Sequence, residues 1–412
     1  MTREESAGLP RVRFGQIAEF RNGLNFDAAA TGQSVKVAGV GSFLQRSRLD
    51  DFSDAKVVTV RGEVPRESLL RNGDLLFVRS NGSKELVGRC AMVFPGDERV
   101  AFSGFTIRAR ITSDDVDGDY ILAVARSELF RRELHEKGAG SSITNLSQEL
   151  LSEVELPLPN LAAQRRIATA LQTWDEAINC TERLIAAKQR LRAWVRSSLL
   201  SGSVRLGGFS EPWSVLPLAA VLHEHGESSA GDEPVFSVSV HKGLVDQVEH
   251  LGRSFSAADT SRYNRVLPGD VVYTKSPTGE FPSGVIKQSI VPHPVIVSPL
   301  YAVYTPRSYT LGILLDALFE SPINTGNYLR PLVQKGAKNT IAITNKRFLE
   351  GALQLPTDQA EIDALAEIVR CSRREIFTLE KQLSALRVQK RGLMQTLLTG
   401  DSHAPERAEV AA

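Results

Sequence analysis

Two stretches of the chain carry apolar residues at alternating steps of three and four. Counted back from Leu199, the first series runs Leu199, Val195, Arg192, Lys188, Ile185, Thr181, Ile178, Trp174, Leu171 and Ile167. The second runs Leu397, Leu393, Lys390, Leu386, Leu383, Leu379, Ile376, Ser372, Val369 and Leu365. Seven of the first ten positions and eight of the second ten are apolar. A 3.5-residue period held this long predicts two long helices with a supercoiled seam. Long stems such as Arg192 and Lys390 can lie over that seam with their charged heads in water. Between the helical stretches the pattern changes to short apolar runs. Asn72-Gly73-Asp74-Leu75-Leu76-Phe77 and Pro268-Gly269-Asp270-Val271-Val272-Tyr273 each predict a turn entering a buried strand.

These features recur at a nearly constant offset. The two Gly-Asp turns lie 196 residues apart, and Leu199-Leu200-Ser201-Gly202 precedes Leu397-Leu398-Thr399-Gly400 by 198. Gly138-Ala139 through Ile143 matches Gly336-Ala337 through Ile341, again at 198. Leu156-Pro157-Leu158-Pro159 is echoed by Leu353-Gln354-Leu355-Pro356, where proline stops a strand just before a helix starts. The order is globular unit, long helix, globular unit, long helix: a tandem duplication.

Charge refines the picture. The 412 residues carry 49 lysines and arginines against 48 aspartates and glutamates, so no global basic field points to a nucleic acid. Residues 1–161 are at net −2, 162–206 at +5, 207–357 at −1 and 358–403 at zero. The first helix is the one strongly basic segment, which suits a solvated or partner-binding face better than a DNA groove. Three unspaced cysteines, Cys90, Cys180 and Cys371, exclude a disulfide scaffold and a four-cysteine zinc site. No apolar run near Met1 resembles a signal peptide, and no window of 18 apolar residues spans a membrane, so a soluble cytoplasmic chain is expected.

Catalytic signatures are scarce. No glycine-rich loop ends in lysine and serine or threonine, which argues against an ATP motor, and Gly39-Val40-Gly41 alone is a weak nucleotide turn. No asparagine- or aspartate-Pro-Pro-aromatic segment of an amino-methyltransferase appears. Asp54-Ala55-Lys56 lacks an upstream acid for a nuclease and fits a surface turn. His223-Glu224-His225 has no third metal ligand in view and fits a solvated loop.

With the duplication established, one family can be named. Leu156-Pro157-Leu158-Pro159-Asn160-Leu161-Ala162-Ala163-Gln164-Arg165-Arg166-Ile167 resembles the helix start of DNA specificity subunits of type I restriction–modification enzymes. Leu199 through Leu206 resembles that family's helix exit, and Phe209-Ser210-Glu211-Pro212-Trp213 the opening of its second recognition domain. The second helix start, Pro356-Thr357-Asp358-Gln359-Ala360-Glu361-Ile362, keeps proline, glutamine and isoleucine but lacks the arginine pair, which leaves its first residue open.

The resemblance implies an α+β (mixed α/β) fold. Two globular target-recognition domains, 1–161 and 207–357, are separated by two long antiparallel coiled-coil helices, 162–206 and 358–403, in an internal pseudo-twofold repeat, with a disordered tail at 404–412. It implies a non-catalytic reader of double-stranded DNA, each domain taking one half of a split, asymmetric target. The helices would set the spacing and dock two methyltransferase subunits, with motor/nuclease subunits joining for cleavage. S-adenosylmethionine, ATP and Mg chemistry would belong to those partners, with no cofactor in this chain. A helix of about 40 residues is about 60 Å long, enough to separate half-sites by more than one turn of duplex. A methylation-only reader and a coiled-coil protein-binding scaffold are the alternatives.

Within the domains, base edges call for arginine, lysine, asparagine, glutamine, serine or threonine on exposed loops. Arg79, Ser80, Asn81, Ser83 and Lys84 follow a predicted strand, and Arg46 and Arg48 form a second candidate. Their counterparts in the second domain are Lys275, Ser276 and Thr278, with Lys335, Lys338 and Asn339 ahead of the helix. Each of these loops fits an ordinary polar turn equally well. Asp74, Asp270, Phe77 and Tyr273 are expected to set the fold, Trp174 and Trp194 to pack in or beside the seam, and Trp213 to anchor the second domain.

Overall fold

The computed structural model describes residues 9–25, 31–43, 46–138, 145–248, 259–335 and 341–400. Two compact units emerge, Met1–Thr181 with Gln382–Ala412, and Glu182–Lys381. The expected disordered tail, Lys338 and Asn339 lie outside the described residues, as does most of the Gly138-to-Ile143 repeat landmark.

In the first unit the fully buried strand Asp74–Val78 runs between Thr106–Ile111 and Cys90–Val93. Ala18–Asn22 and Arg48–Leu49 complete a five-stranded sheet. A smaller sheet orders Lys56–Val60, Gln33–Ala38 and Val100–Phe102. Helices Gly118–Ala125, Glu128–Lys137 and Gln148–Glu153 start where Asp117, Ser127 and Ser147 accept a backbone N–H of the first turn. Arg11–Arg13 pairs with Glu155–Pro157, and the first long helix begins at Leu161, past Pro159.

The second unit repeats this plan. Its four-stranded sheet is ordered Leu222–His223, Ala302–Pro306, Val271–Tyr273, Ile286–Gln288, the same arrangement as Ala18–Asn22, Thr106–Ile111, Asp74–Val78, Cys90–Val93. Ser214–Pro217 pairs with Ala352–Leu355 just as Arg11–Arg13 pairs with Glu155–Pro157. Both Gly-Asp turns are real. Gly73 and Gly269 hold φ of +87° and +93°, a region that favours glycine, and each following aspartate accepts the amide three residues back, of Arg71 or Leu267. The second long helix, whose start the sequence left open, spans Gln359–Thr399.

Each unit buries its own stretch of both long helices. In the first, Ile167, Ala168, Leu171, Leu397 and Leu398 join one core with Phe14, Phe77, Tyr120 and Phe130. In the second, Val195, Leu199, Ile362, Leu365 and Val369 join Tyr273, Tyr304 and Phe348. Each buried aliphatic side chain contributes about 2 kcal/mol, so the helices are fixed by the cores rather than by propensity alone. Within the second unit Lys188 meets Glu375, and Arg192, one turn further on, shares Glu320 with Arg373, so the two helices run in opposite directions there; within the first, Asp175 meets Lys390. Ile178, Ile185 and Ile376 are buried, whereas Trp174, Leu379, Leu383, Leu386 and Leu393 are half-buried.

Trp194 departs from expectation. It is 48 % exposed, because it precedes the buried Val195 by one residue and so points about 100° away from the seam. Here the helix passes into a π-helical turn, Val195–Leu199.

Candidate nucleic-acid interface

A cleft of about 930 Å³ opens on the first unit. One wall is Gly39–Ser42 with Arg46 and the segment Asp51–Lys56; the other is Ser80, Asn81 and Gly82, with Ser103 and Phe105 beside them. Strand Asp74–Val78 delivers the loop that begins at Arg79, and its position is fixed from below: the Arg79 amide donates to the Phe105 carbonyl at 2.9 Å. The Arg79 guanidinium reaches the Gly104 carbonyl at 3.4 Å, and the Asn81 carboxamide oxygen accepts the Ser83 amide at 3.1 Å. Ser83 and Lys84 continue on the exposed side, outside the cleft lining.

The structure separates Arg46 from Arg48. Arg46 is exposed in the cleft, whereas Arg48 pairs with Asp119 and stacks over Phe94 at 5.2 Å from the ring centre. Arg48 belongs to a different and smaller pocket, shared with Leu171, Asp175 and Lys390 of the long helices. The three candidates Arg46, Ser80 and Asn81 are therefore brought together, and Arg48 is not among them.

In the second unit the matching loop is exposed at Ser276 and Thr278 and closes on itself, Thr278 and Phe281 exchanging both backbone hydrogen bonds at 3.0 and 2.9 Å. Lys275 donates to the Asn345 side chain at 2.7 Å, and Asn345 donates to Glu224. Lys335 contributes its backbone to a two-residue strand paired with Ile341–Ala342. His225 is engaged within the chain: its Nδ1 accepts the Glu227 amide at 3.0 Å and its Nε2 lies 3.1 Å from an Asp270 carboxylate oxygen. Among the described residues no group of three or more His, Cys, Asp or Glu could hold a metal ion, and no helix is long and apolar enough to cross a membrane.

The basic surplus of the first helix is partly engaged. Lys188 pairs with Glu375, Arg192 and Arg196 with Glu320, and Arg205 forks onto Glu361 at 2.7 Å through both nitrogens. Trp213 donates to the same Glu361 at 3.0 Å, which is how it anchors the second unit. Leu184, Leu191 and Trp194, at helical steps of seven and three, leave an exposed apolar stripe flanked by the exposed Arg183 and Arg190.

Sequence reasoning missed Phe105, and it read Asp54-Ala55-Lys56 as a surface turn without seeing that it belongs to the Asp51–Lys56 wall of a cleft. An exposed aromatic looks like a core residue in a sequence, and the wall forms only when the two sheets fold together.

Comparison with known proteins gives a consistent picture. Residues 12–188 match the family described as Type I restriction modification DNA specificity domain. The chain is 24 % identical over 258 residues to the type I restriction enzyme EcoKI specificity subunit of Escherichia coli (strain K12), covering 54 % of this chain and 52 % of that one. It is 26 % identical over 161 residues to the StySPI specificity subunit of Salmonella potsdam, covering 37 % and 34 %. The match thus spans about half the length of the first relative and a third of the second. Among solved structures, a chain from work on complex assembly and conformational transition of the type I R-M system shares the fold at a TM-score of 0.57, with 16 % identity over 96 % of this chain and 99 % of that chain. The type-I restriction-modification system S subunit from M. genitalium does so at 0.56, with 11 % identity over 99 % of both.

Proposed function

From the match of residues 12–188 to the type I restriction modification DNA specificity domain, we propose that the whole chain is the sequence-reading, non-catalytic subunit of such a complex. One observation carries the reading: a single strand order occurs twice in the chain, and each copy ends its central strand in a loop of different chemistry, Arg79-Ser80-Asn81 in one and Lys275-Ser276-Pro277 in the other. Two copies of one scaffold with unlike loops suit two unlike half-sites, whereas a symmetric dimer reads a palindrome.

The first domain reads one half through the cleft that holds Arg46, Ser80 and Asn81, and the second reads the other half through Lys275, Ser276 and Thr278. Lys335, Lys338 and Asn339 belong to the same proposal. The long helices set the gap between half-sites and dock two methyltransferase subunits in the cytoplasm. Those partners supply S-adenosylmethionine chemistry, and motor/nuclease subunits supply ATP and Mg chemistry. Because both domains are close to neutral, the partners also provide much of the phosphate contact.

Genome-wide adenine-methylation mapping in cells with and without this chain tests the proposal. A split, asymmetric motif that appears only with the chain is expected, and replacing residues 207–357 with another domain changes one half alone. Repeating the mapping after a helical insertion between Leu171 and Lys188 tests the spacer: an unchanged gap removes that role. A protein-binding scaffold leaves methylation unaltered in every case.

A further inference from the structure

Two large apolar side chains stand in water at equivalent places in the two units. The strand registers fix the equivalence. Leu75 faces Ala109, and Val271, its counterpart after the Gly-Asp turn, faces Tyr304. Four residues before Ala109 is Phe105; four before Tyr304 is Leu300. Phe105 is 64 % exposed and Leu300 is 71 % exposed.

The same turn presents both. The Phe105 amide donates to the Ser103 hydroxyl at 3.2 Å, and the Thr106 amide to the Ser103 carbonyl at 2.8 Å. In the second unit the Leu300 amide donates to the Ser298 hydroxyl at 3.3 Å, and the Tyr301 amide to the Ser298 carbonyl at 3.0 Å. Each tip is braced from behind. Gly104 donates to the Leu24 carbonyl at 2.8 Å, while Asn264 donates to the Tyr301 carbonyl at 2.8 Å. Scattered exposed apolar residues are ordinary. The same braced serine turn lifting one at the same register in two diverged units is not scatter.

We propose that Phe105 and Leu300 are wedges, each pressing into one base step of its own half-site and unstacking it; this rests on the DNA-reading function proposed above. The Phe105 side chain shares a cleft with Arg46, Lys56, Ser80 and Asn81, the polar company expected at a phosphate and base-edge surface. Neither Phe nor Leu can donate to or accept from a base edge. Both are side-chain types that insert between base steps and kink a duplex. Such contacts select the sequences that deform easily, so each domain gains discrimination at a step where it makes no hydrogen bond.

The test uses the chain assembled with its methyltransferase partners and a duplex carrying the split motif found by methylation mapping, with 2-aminopurine placed at each half-site position in turn. Binding is expected to raise fluorescence several-fold at one step in each half. Phe105→Ala abolishes the rise in one half only and Leu300→Ala in the other, each weakening retention about tenfold or more while the melting temperature of the free chain stays unchanged. Phe105→Leu retains part of the rise. Binding of the split target with no rise at any step overturns the wedge alone. So does a loss in Phe105→Ala that thymine-to-uracil replacement reproduces, which assigns the side chain to a thymine methyl group instead. If the wild-type complex selects no duplex, the reader itself fails and the wedge with it.

Discussion

Arg110 grips Asp74 with two prongs, Nε to Oδ1 and Nη2 to Oδ2, each at 2.7 Å. Asp74 is almost fully buried, and its second oxygen also accepts the Arg71 amide at 2.8 Å, so one carboxylate joins the Gly-Asp turn to the neighbouring strand. Asp270 does the same work in the second unit with other partners, the His225 ring and the Thr305 hydroxyl, the latter at 2.7 Å. Duplication has kept the buried acid and changed the group that satisfies it.

Removing Arg110 strands that charge. Arg110→Ala is expected to cost about 3–5 kcal/mol, the penalty for a buried carboxylate that has lost its ion-pair partner. Denaturant unfolding checks this; a loss below about 1 kcal/mol would make the pair a surface contact in energetic terms.

Glu320 gives an acid-sensitive counterpart. Burial pushes its carboxyl pKa upward, yet Arg373 and Arg192 outweigh that and hold it below its ordinary 4.5. Arg373 also reaches Asp316, which ties the second long helix to helix Tyr309–Phe319. A carboxylate with a lowered folded-state pKa stabilises fully above its ordinary range, and that contribution is lost as pH falls through the depressed value. Glu320→Gln should therefore unfold at about 3 kcal/mol lower stability at neutral pH. The gap from wild type should shrink toward zero on acidification, as followed by thermal melts across pH 7 to 3. A gap independent of pH would exclude ionisation as its source.

Gln164 shows what the sequence reveals and what it hides. It was legible as a landmark of the helix start, but not as a lock. Its carboxamide is buried, accepts the Asp117 amide at 2.9 Å, and donates to the Asp115 and Pro159 carbonyls at 3.1 and 2.8 Å. Gln164→Glu keeps the shape and replaces two donations with repulsion from two carbonyls. A loss of about 2–4 kcal/mol is expected, from unmet buried groups at about 1–3 kcal/mol each. Amide exchange at the helix start checks it; unchanged protection there would deny the lock.

The repeat, the turns and the helices were readable because their signals are local: a period of 3.5, a glycine at positive φ, a proline ending a strand. What stayed hidden depends on residues far apart in the chain. Arg48 looked free until Asp119, 71 positions on, took its guanidinium. Lys275 looked like a loop cation until Asn345 was placed beside it. Trp194 stands next to Val195 of the seam series, and only the folded helix shows that it leaves nearly half of its surface in water. Phe105 carries no signature at all, since exposure is a property of the folded turn and not of the residue.

That outward turn of Trp194 gives the last expectation. With Leu191 and Leu184 it forms an apolar stripe on the part of the first long helix that belongs to the second unit. If methyltransferase subunits dock on the helices, this stripe is where burial of apolar area would contribute most, with Trp the side chain best suited to anchor an interface. Leu191→Glu and Trp194→Glu should each cost the free chain no more than about 1–2 kcal/mol, because about half of each side chain is already exposed. Co-purification with the methyltransferase partner should fall at least tenfold. A double variant that assembles as well as wild type would place the docking surface elsewhere on the helices, and one that melts early would mean the stripe is covered within the chain itself.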